Sequence, residues 1–286
     1  MKKRTLLLGL ALALMPVGLA TAQDSGPAAK EDRYERYGGR RDRFYFNFGG
    51  LFLGHDTIDE LNARGFPVGT IIDWEDVLGL PERTSSIRAE AHFKLFPRHR
   101  FRASYFQTAR SSDLQLIDET IQWGNLSIPI NVRLNASWDT KVIRVDYRFS
   151  AIQSDRVDLG VALGVYLLKV TSGLGINDTP LRTASSQSVP LPMVGLDVEW
   201  DFARDFVFKG GFQLMGLRIG DQTKVDGNWS EIRARVEWMP LRNVGLGVGY
   251  LSADVSVDIA FASGLLQNWM IDYRTGGLTV YALASF

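Results

Sequence analysis

Residues 87–95 read IRAEAHFKL and residues 230–238 read SEIRARVEW, so an apolar side chain alternates with a polar or charged one in both stretches. Residues 143–149 and 192–202 repeat this pattern. A period of two places the two sets on opposite faces of a β-strand, whereas a helix would distribute the charges around its circumference. These stretches therefore predict amphipathic strands.

Around them the same pattern predicts about ten strands, joined by connections that alternate between short and long. The short connections are centred on residues 97–100, 153–156, 203–205 and 240–243, and the longer ones cover 54–85, 124–129, 171–188, 221–228 and 260–267. An even strand number places both ends of the sheet beside the short turns, as in outer-membrane barrels. The predicted strands are 43–53, 86–96, 101–123, 130–152, 156–170, 189–202, 206–220, 229–239, 244–259 and 268–286.

Strand length favours a membrane environment. Residues 133–151 follow a strand pattern with one change of phase near Val142, which is longer than the roughly five or six residues of most soluble strands. The apolar run Leu159–Leu168 is about half as long as a transmembrane helix but matches a tilted transmembrane strand of about 9–11 residues. Aromatic residues near both ends of the strands predict two interfacial belts. They are Phe93, Phe149, Trp200, Phe202 and Trp238 near the short turns and Trp123, Trp138, Trp229 and Trp269 near the longer loops.

The sequence thus predicts an all-β fold, a closed antiparallel up-and-down transmembrane β-barrel of about ten strands, within a range of about 8–12. The sheet must close because hydrocarbon leaves unpaired backbone groups without partners. Apolar faces then point to lipid, and charges of both signs neutralise one another in a narrow lumen. This lumen charge lattice is predicted to contain Arg88, Glu90, His92, Lys94, Arg102, Arg144, Asp146, Arg148, Asp197, Glu199, Glu231, Arg233, Arg235, Glu237, Asp272 and Arg274.

The composition excludes several other classes of protein. The chain has 286 residues, of which 45% are hydrophobic and 22% charged, which is too apolar for disorder. Its 32 basic and 32 acidic side chains are interleaved, so no nucleic-acid partner is predicted. Without cysteine there is no disulfide, no thiolate ligand and no lipoprotein anchor. We expect no metal and no cofactor, since histidines at ligand spacing and phosphate-loop motifs are also missing from the sequence.

The N-terminal residues are predicted to direct export. Lys2, Lys3 and Arg4 precede an apolar stretch over 6–20, and an Ala-Thr-Ala site ends at Ala22. This pattern is typical of a secretory signal peptide, here residues 1–22. Residues 23–42 are rich in Gly, Pro, Ala and mixed charges and are interpreted as a disordered periplasmic leader. The barrel is assigned to residues 43–286, located in the bacterial outer membrane.

Three functions are consistent with these features. The first is a structural barrel or a narrow passive channel for small solutes, without enzymatic activity. The second is a barrel enzyme that hydrolyses lipid or peptide at the external rim, for which His55 and Asp56 are the candidate residues. The third is a soluble periplasmic β-barrel that binds an apolar ligand, which requires the Val and Leu faces to be buried inside.

The first long connection is the most distinctive loop. Asp73 is a candidate N-cap for one helical turn that ends at Gly79-Leu80-Pro81 and contains Trp74, Glu75 and Asp76. Its apolar residues either fold inward as an external lid on the barrel mouth or face outward towards a partner or lipopolysaccharide. We favour the lid, because an exposed apolar loop promotes association.

The order of these features resembles that of uncharacterised proteobacterial outer-membrane β-barrel proteins. The resemblance covers about residues 44–286 and includes the acidic loop over 72–80, the Phe-Pro-Arg-His-Arg turn over 96–100 and a final strand that ends in Phe286. It implies insertion by the outer-membrane assembly machinery, with Phe286 as the assembly signal, although Ala284 stands where similar proteins often have Tyr. The resemblance carries no activity. Independently of it, we expect a monomer surrounded by outer-membrane lipid and lipopolysaccharide.

Overall fold

The computed structural model describes residues 43–117, 119–176, 182–219, 223–261 and 266–286. The predicted signal peptide and leader, residues 1–22 and 23–42, lie outside the described residues. Within the described part of the chain, no helix is long and apolar enough to cross a membrane. The strands are β1 (Phe44–Ala63), β2 (Ile72–Asp73), β3 (Arg83–Phe96), β4 (His99–Leu116), β5 (Ile121–Trp123), β6 (Leu126–Ile128), β7 (Arg133–Gln153), β8 (Val157–Ile176), β9 (Arg182–Ala203), β10 (Phe206–Ile219), β11 (Thr223–Trp238), β12 (Val244–Phe261) and β13 (Leu266–Ser285).

The long strands form one closed antiparallel ring, so the predicted fold class is confirmed. Among the described residues the ring contains ten strands in the order β1, β3, β4, β7, β8, β9, β10, β11, β12 and β13. It closes where β13 pairs with β1, from Tyr45 opposite Ser285 to Ala63 opposite Leu266. Backbone hydrogen bonds of 3.0 and 2.8 Å between Phe44 and Phe286 extend this seam. The short strand β2 is attached to β1, and β5 and β6 form a separate hairpin.

The short connections lie where the sequence predicts them, but the long ones are shorter than predicted. Between strands, residues 97–98, 154–156, 204–205 and 239–243 connect one end of the barrel. At the other end, most of the predicted loops over 171–188 and 221–228 and half of the loop over 260–267 belong to strands, and β1 continues to Ala63. We call the half of the barrel beside the short connections the turn half and the other the loop half. Backbone pairing continues through the loop half, although the outward side chains there become polar and the inward ones apolar.

The alternation of buried and exposed residues continues along each strand, but halfway along it the apolar residues change from the outer face to the inner face. We call this change the inversion of hydropathy. In β7 the outward residues change from Ile143 and Val145 in the turn half to Lys141 and Ser137 in the loop half, while the buried residues change from charged to apolar. In β12 the outward residues are valine, leucine and tyrosine as far as Tyr250, and serine and aspartate from Ser252 onward. Over the same stretch the inward residues change from glycine to leucine and valine. The change of phase that the sequence shows near Val142 is this inversion.

The turn half therefore has an apolar outer belt, whereas the loop half has the polar exterior of a soluble protein. In β8 the belt extends from Leu159 to Leu167, whose outward side chains are 38–57% exposed. Nine residues at about 3.3 Å each, tilted by about 40°, span about 23 Å, close to the roughly 25 Å apolar band of membrane barrels. An exposed belt of this height around a closed sheet requires lipid.

One of the two predicted aromatic belts is wrong. Phe93, Phe149, Trp200, Phe202 and Trp238 are 37–48% exposed at the turn end, as an interfacial belt requires. By contrast, the tryptophans near the longer loops are at most 4% exposed. They point into the loop half because water outside that half drives large apolar side chains inward. These buried residues are Trp123, Trp138, Trp229 and Trp269.

Two arginine substitutions on the outer face of β7 test the position of the belt. Val145 lies in the belt and Ser137 in the loop half, and both side chains are exposed. We expect Val145→Arg to lower the free energy of unfolding in lipid vesicles by about 2–4 kcal/mol, since it places a cation near the bilayer centre. Ser137→Arg should change it by less than about 0.5 kcal/mol. Equal effects in urea titrations would contradict the assigned belt.

Candidate functional site

The lumen of the turn half is filled by charged side chains. The residues of the predicted lattice lie along this inner face, apart from two on β13 that are described below. We call the inward residues, together with Arg100, Asp158 and Lys209, the charge plug. Its members from the predicted lattice are Arg88, Glu90, His92, Lys94, Arg102, Arg144, Asp146, Arg148, Asp197, Glu199, Glu231, Arg233, Arg235 and Glu237.

Arg102 joins two carboxylates in the charge plug. Its Nε donates to Asp146 Oδ1 at 2.5 Å, and its Nη2 donates to Asp197 Oδ2 at 2.7 Å. Nearby, Arg148 Nη2 donates to Asp158 Oδ1 at 2.9 Å. All of these side chains are buried, so each charge depends mainly on its partners for stabilisation.

A second group of contacts crosses the lumen at Glu90. Arg235 on β11 donates from Nη1 and Nη2 to the Glu90 carboxylate on β3 at 3.1–3.2 Å. His92 Nε2 is 2.6 Å from Glu90 Oε1, and Arg88 Nη2 donates to Oε2 at 3.2 Å. Because β3 and β11 are four strands apart in a ring of ten, the Arg235–Glu90 pair bridges nearly opposite walls.

Three plug contacts involve residues that the sequence analysis missed. Arg100 forms an ion pair with Glu199, Tyr45 donates to Glu237 at 2.5 Å, and Tyr166 donates to Glu231 at 2.9 Å. Arg100 was assigned to a turn, yet its spacing of two from Arg102 places it on the same inner face. The tyrosines carry no such signal, because alternation does not distinguish an inward from an outward aromatic residue.

Glycines on the inner face let long side chains lie flat against the wall. A Cβ at Gly160 would lie 2.6 Å from the guanidinium carbon of Arg148, and a Cβ at Gly247 would lie 2.2 Å from the ring of Tyr281. A side chain at either position would therefore displace the Arg148 guanidinium or the Tyr281 ring. The space that glycine leaves in the wall is filled by the charge plug and its tyrosines.

Asp272 and Arg274 are not part of the lumen, so their assignment to the charge lattice is wrong. Both are exposed on the outer face of β13, and Arg274 Nε lies 3.4 Å from Asp254 Oδ1 on the neighbouring strand. They belong to the loop half, where polar residues face water and the inner positions of β13 are Trp269, Ile271 and Tyr273. The inversion of hydropathy explains the error.

The lumen of the loop half contains an apolar cavity, which we call the apolar chamber. It lies between β8, β9, β12 and β13 and has a volume of about 20 Å³. Nearly all of its exposed lining is apolar, and Gln187 is the amide-bearing residue of the wall. The aliphatic and aromatic lining consists of Leu168, Val170, Val189, Val255, Val257, Ile259, Ile271 and Tyr273.

Buried polar atoms without a hydrogen-bond partner among the described residues lie beside both ends of the apolar chamber. Ser172 and Ser185 face each other across β8 and β9, one inward position beyond Val170 and Gln187. At the end towards the charge plug, Trp229 Nε1 is also unpartnered, and the Trp229 ring stacks on Tyr166 at 4.6 Å. An unpaired buried polar group costs about 1–3 kcal/mol, so such groups favour a ligand that pairs them.

The lid loop, residues 64–82, packs into the other side of the mouth. Trp74 is fully buried, and its ring lies 5.9 Å from Trp123 and 4.9 Å from Trp138. Asp73 Oδ1 accepts from the amides of Glu75 and Asp76 at 3.1 and 2.9 Å, as an N-cap does. The inward arrangement, rather than an outward apolar loop, is therefore the one that the structure adopts.

Polar contacts fix the lid loop to the barrel wall. Glu75 accepts from the amide and hydroxyl of Thr57 at 2.8 and 2.9 Å and pairs with Arg110. On the same wall, the Asp59 carboxylate accepts from the indole nitrogens of Trp123 and Trp269. The hairpin of β5 and β6 thereby holds Trp123, which the sequence analysis had assigned to the preceding strand, inside the mouth. Gly124, with a φ of 59°, provides the tight turn between β5 and β6.

His55 and Asp56 do not form a catalytic pair. They are neighbours in β1, so their side chains lie on opposite faces, with His55 buried and Asp56 exposed. His55 Nδ1 is 2.8 Å from the Tyr273 hydroxyl and Nε2 is 2.7 Å from Thr84 Oγ1. Over the described residues, no group of three or more His, Cys, Asp or Glu side chains has the geometry of a metal site.

Comparison with known proteins places the fold in a class. No family model matches the sequence, and no curated protein matches it. The outer membrane protease OmpT from Escherichia coli has a similar structure, with a TM-score of 0.60, 11% identity, and coverage of 86% of this chain and 97% of that one. At this identity the likeness concerns the fold alone. The fold and its apolar belt define a transmembrane β-barrel of the outer-membrane type.

Two further structures match with lower scores. OprG from Pseudomonas aeruginosa gives a TM-score of 0.36 at 8% identity, covering 88% of this chain and 98% of that one. The toluene transporter TodX from Pseudomonas putida gives 0.32 at 8% identity, with 86% and 90% coverage.

Proposed function

We propose that this protein is an integral outer-membrane barrel that does not conduct solutes and that binds a small apolar molecule in the apolar chamber. The observation that carries the proposal is the division of the lumen into a charge plug and an apolar cavity. With the short turns in the periplasm, the chamber opens at the cell surface. We propose no enzymatic role, because His55 faces Tyr273 and Thr84 and is separated from Asp56 by the strand wall.

The charge plug supports the non-conducting part of the proposal. Arg235 and Glu90 connect nearly opposite strands, and Arg100 and Glu199 connect walls that are three strands apart. A passing ion would have to separate such pairs and leave charges unpaired in a largely buried site, which costs several kcal/mol. Diffusion past them is therefore expected to be slow.

The chamber supports a ligand with an apolar body and a small polar end. Burial of apolar surface against Val170, Val255 and Val257 provides the main stabilisation, about 25 cal/mol per Å². The hydroxyls of Ser172 and Ser185 lack partners and are suited to hydrogen-bond one polar group of the ligand. The chamber has a volume of about 20 Å³, little more than one water molecule needs, so we expect a ligand to bind by displacing side chains of its lining.

A series of primary alkanols from pentanol to dodecanol tests ligand binding. We expect each added methylene to raise the urea midpoint of the vesicle-embedded protein until the chain fills the chamber, and longer alkanols to give no further increase. Partition into lipid would instead rise with chain length without a limit. A rise without such a cut-off would contradict the proposal.

Two phenylalanine substitutions in β12 provide a matched control. Val257→Phe fills the chamber from its wall, whereas Val248→Phe adds the same atoms to the exposed outer face of the same strand. The alkanol effect should disappear in the first variant and remain in the second. Equal effects in both variants would show that the alkanols do not occupy the chamber.

A narrow passive channel is the second candidate function, and a second cavity favours it. This cavity has a volume of about 10 Å³ within the charge plug and is lined by Asn47, Arg88, Arg235, Tyr281 and others. It lies against β12 and β13, the two strands that also line the apolar chamber. A path along this wall would be obstructed by Tyr281 and Arg235.

Planar bilayer recordings distinguish the two candidates. The non-conducting barrel predicts no discrete openings for the unaltered protein, and Tyr281→Ala is expected to introduce small ones by widening the cavity beside Gly247. Regular openings of the unaltered protein that grow in Tyr281→Ala would support the channel and exclude the plug.

We further propose that the barrel is a monomer in outer-membrane lipid and lipopolysaccharide and that Phe286 is its signal to the outer-membrane assembly machinery. Phe286 is 65% exposed at the end of the closing strand, where another protein can reach it. Its backbone is paired with Phe44, so recognition would precede closure of the barrel.

A further inference from the structure

The outer face changes from apolar to polar at a definite residue on each strand of the ring. Among the described residues, the first outward position beyond the belt is glycine, serine or glutamine on eight strands. It is lysine on the other two, Lys141 on β7 and Lys169 on β8. The uncharged positions are Gly54, Ser85, Gln107, Ser188, Gly216, Ser230, Ser252 and Gly276.

The two lysines are cross-strand partners. Lys141 is directly opposite Lys169 in the antiparallel pairing of β7 with β8, and both side chains are exposed. Directly opposite residues have Cβ atoms about 4.5–5.5 Å apart, and like charges at this spacing destabilise a sheet. Within the described residues, neither ammonium group forms an ion pair with a carboxylate, and the nearest acidic neighbour on this face of β7 is Asp139. A bound anion would relieve the repulsion.

Hydrogen-bond donors flank the pair on both sides. Gln107 on β4 is opposite Lys141, and Ser188 on β9 is opposite Lys169. The Tyr105 hydroxyl donates to Gln107 Oε1 at 2.9 Å, which leaves the amide nitrogen of Gln107 as a donor. Four neighbouring strands thus present two cations and two uncharged polar groups in one row.

The position of this row on the barrel indicates the kind of anion. Ile143 and Leu167 are the next outward residues towards the turn half, and both belong to the apolar belt. The lysines therefore lie at the height of lipid headgroups, in the leaflet that the loop half faces. On the opposite side of the barrel the same zone contains the exposed carboxylates of Asp254, Asp258 and Asp272, with Arg274 beside Asp254, so carboxylates outnumber cations there.

We propose that Lys141 and Lys169 bind the phosphate of a phosphorylated glycolipid headgroup in the outer leaflet. A phosphate monoester has a charge of about −1.5 to −2 near neutral pH and three acceptor oxygens, so one group neutralises both ammonium groups. Its acyl chains extend along Ile143 and Leu167 in the belt. This site is independent of the apolar chamber, which lies inside the wall.

Binding of purified bisphosphorylated lipid A to the full-length protein in neutral detergent tests the proposal. Stability is measured as the temperature at which the band of the folded protein disappears from gels loaded without boiling. Lys141→Gln/Lys169→Gln is expected to bind about 30-fold more weakly, because each lysine near a charged lipid surface contributes about 1 kcal/mol. Without lipid the double variant should melt at the same temperature or higher, since the repulsion is gone. With lipid A the order should reverse.

Lys224→Gln is the matched control, because Lys224 is an exposed lysine on the outer side of β11, away from the pair. It should keep the affinity and lipid-induced stabilisation of the unaltered protein. Dephosphorylated lipid A and inorganic phosphate distinguish the sources of the anion, and neither should match bisphosphorylated lipid A. Equal binding of dephosphorylated lipid A, equal protection by inorganic phosphate, or unchanged affinity in the double variant would overturn the proposal. If the unaltered protein self-associates and the double variant does not, the lysines bind the acidic side of a second copy, and this result would also overturn the proposal.

Discussion

Arg102→Met is expected to lower the free energy of unfolding by at least about 3–5 kcal/mol. Arg102 is 5% exposed and hydrogen-bonds Asp146 and Asp197, two carboxylates that are themselves buried. Methionine has a similar length but leaves both carboxylates with one cation fewer. Because both carboxylates are largely buried, the loss is larger than for a surface ion pair, which contributes about 0–1 kcal/mol.

Urea titration of the vesicle-embedded protein measures this change. Arg274→Met is the control, since Arg274 also lies near a carboxylate but is 74% exposed on the outer face of the loop half. Its effect should remain below about 1 kcal/mol. Adding Asp146→Asn and Asp197→Asn to Arg102→Met should restore part of the stability by removing the unpaired charges. Similar losses for the Arg102 and Arg274 variants would contradict the buried plug.

Trp74→Ala is expected to release the lid loop while the barrel remains folded. Trp74 is fully buried against Trp123 and Trp138, and truncation of such a side chain costs about 3–5 kcal/mol. The loss acts on the loop because the barrel strands keep their backbone pairing. The population of the open loop should therefore rise on the order of a hundredfold or more.

Trypsin reports this opening at a defined position. Residues 65–82 contain no lysine or arginine, so cleavage after Arg64, which donates to the Phe261 carbonyl at 2.6 Å, measures release at the start of the loop. Val68→Ala is the control, because Val68 is 80% exposed in the same loop and should leave the rate unchanged. A folded barrel in unheated gels together with an unaltered cleavage rate in Trp74→Ala would contradict the packed lid.

The sequence predicts the turn half well because lipid simplifies its pattern. In the turn half of β3, β7 and β11 every outward position is apolar and nearly every inward one is charged, and residues 196–200 of β9 follow the same pattern, so a period of two identifies both faces at once. Arg88, Arg144, Asp197 and Glu231 are inward for this reason. The strand number follows as well, since the short turns interrupt the pattern where they occur.

The loop half could not be predicted in the same way, because there the polar residues of the alternation face outward and the apolar ones face inward. Asp272 and Arg274 alternate with apolar residues as Arg144 and Asp146 do, yet they face outward. Periodicity identifies two faces without stating which one faces water. The signal that decides it is the position at which the two sets exchange character, as near Val142 in β7 and at Ser252 in β12.

Contacts between distant segments account for the remaining differences. His55 was grouped with Asp56 because they are adjacent in sequence, but its hydrogen-bond partners Thr84 and Tyr273 are 29 and 218 residues away. Trp123 was added to a strand because it continues an apolar pattern, whereas its indole is fixed by Asp59 on β1. Neither association leaves a local trace in the sequence.

The outer face of each long strand contacts lipid in the turn half and water in the loop half. A shift in strand register during folding is therefore costly. If β12 slid by one residue along β13, its valines would move into the charged lumen at one end and its aspartates into the dry interior at the other. A slide by two residues would restore the faces but would displace the polarity switch by about 7 Å along the strand axis, and lipid would then meet serine and aspartate. The register of each hairpin is thus fixed by two constraints, which are the face that each residue occupies and the height of the polarity change along the strand. Both act before the ion pairs of the lumen form.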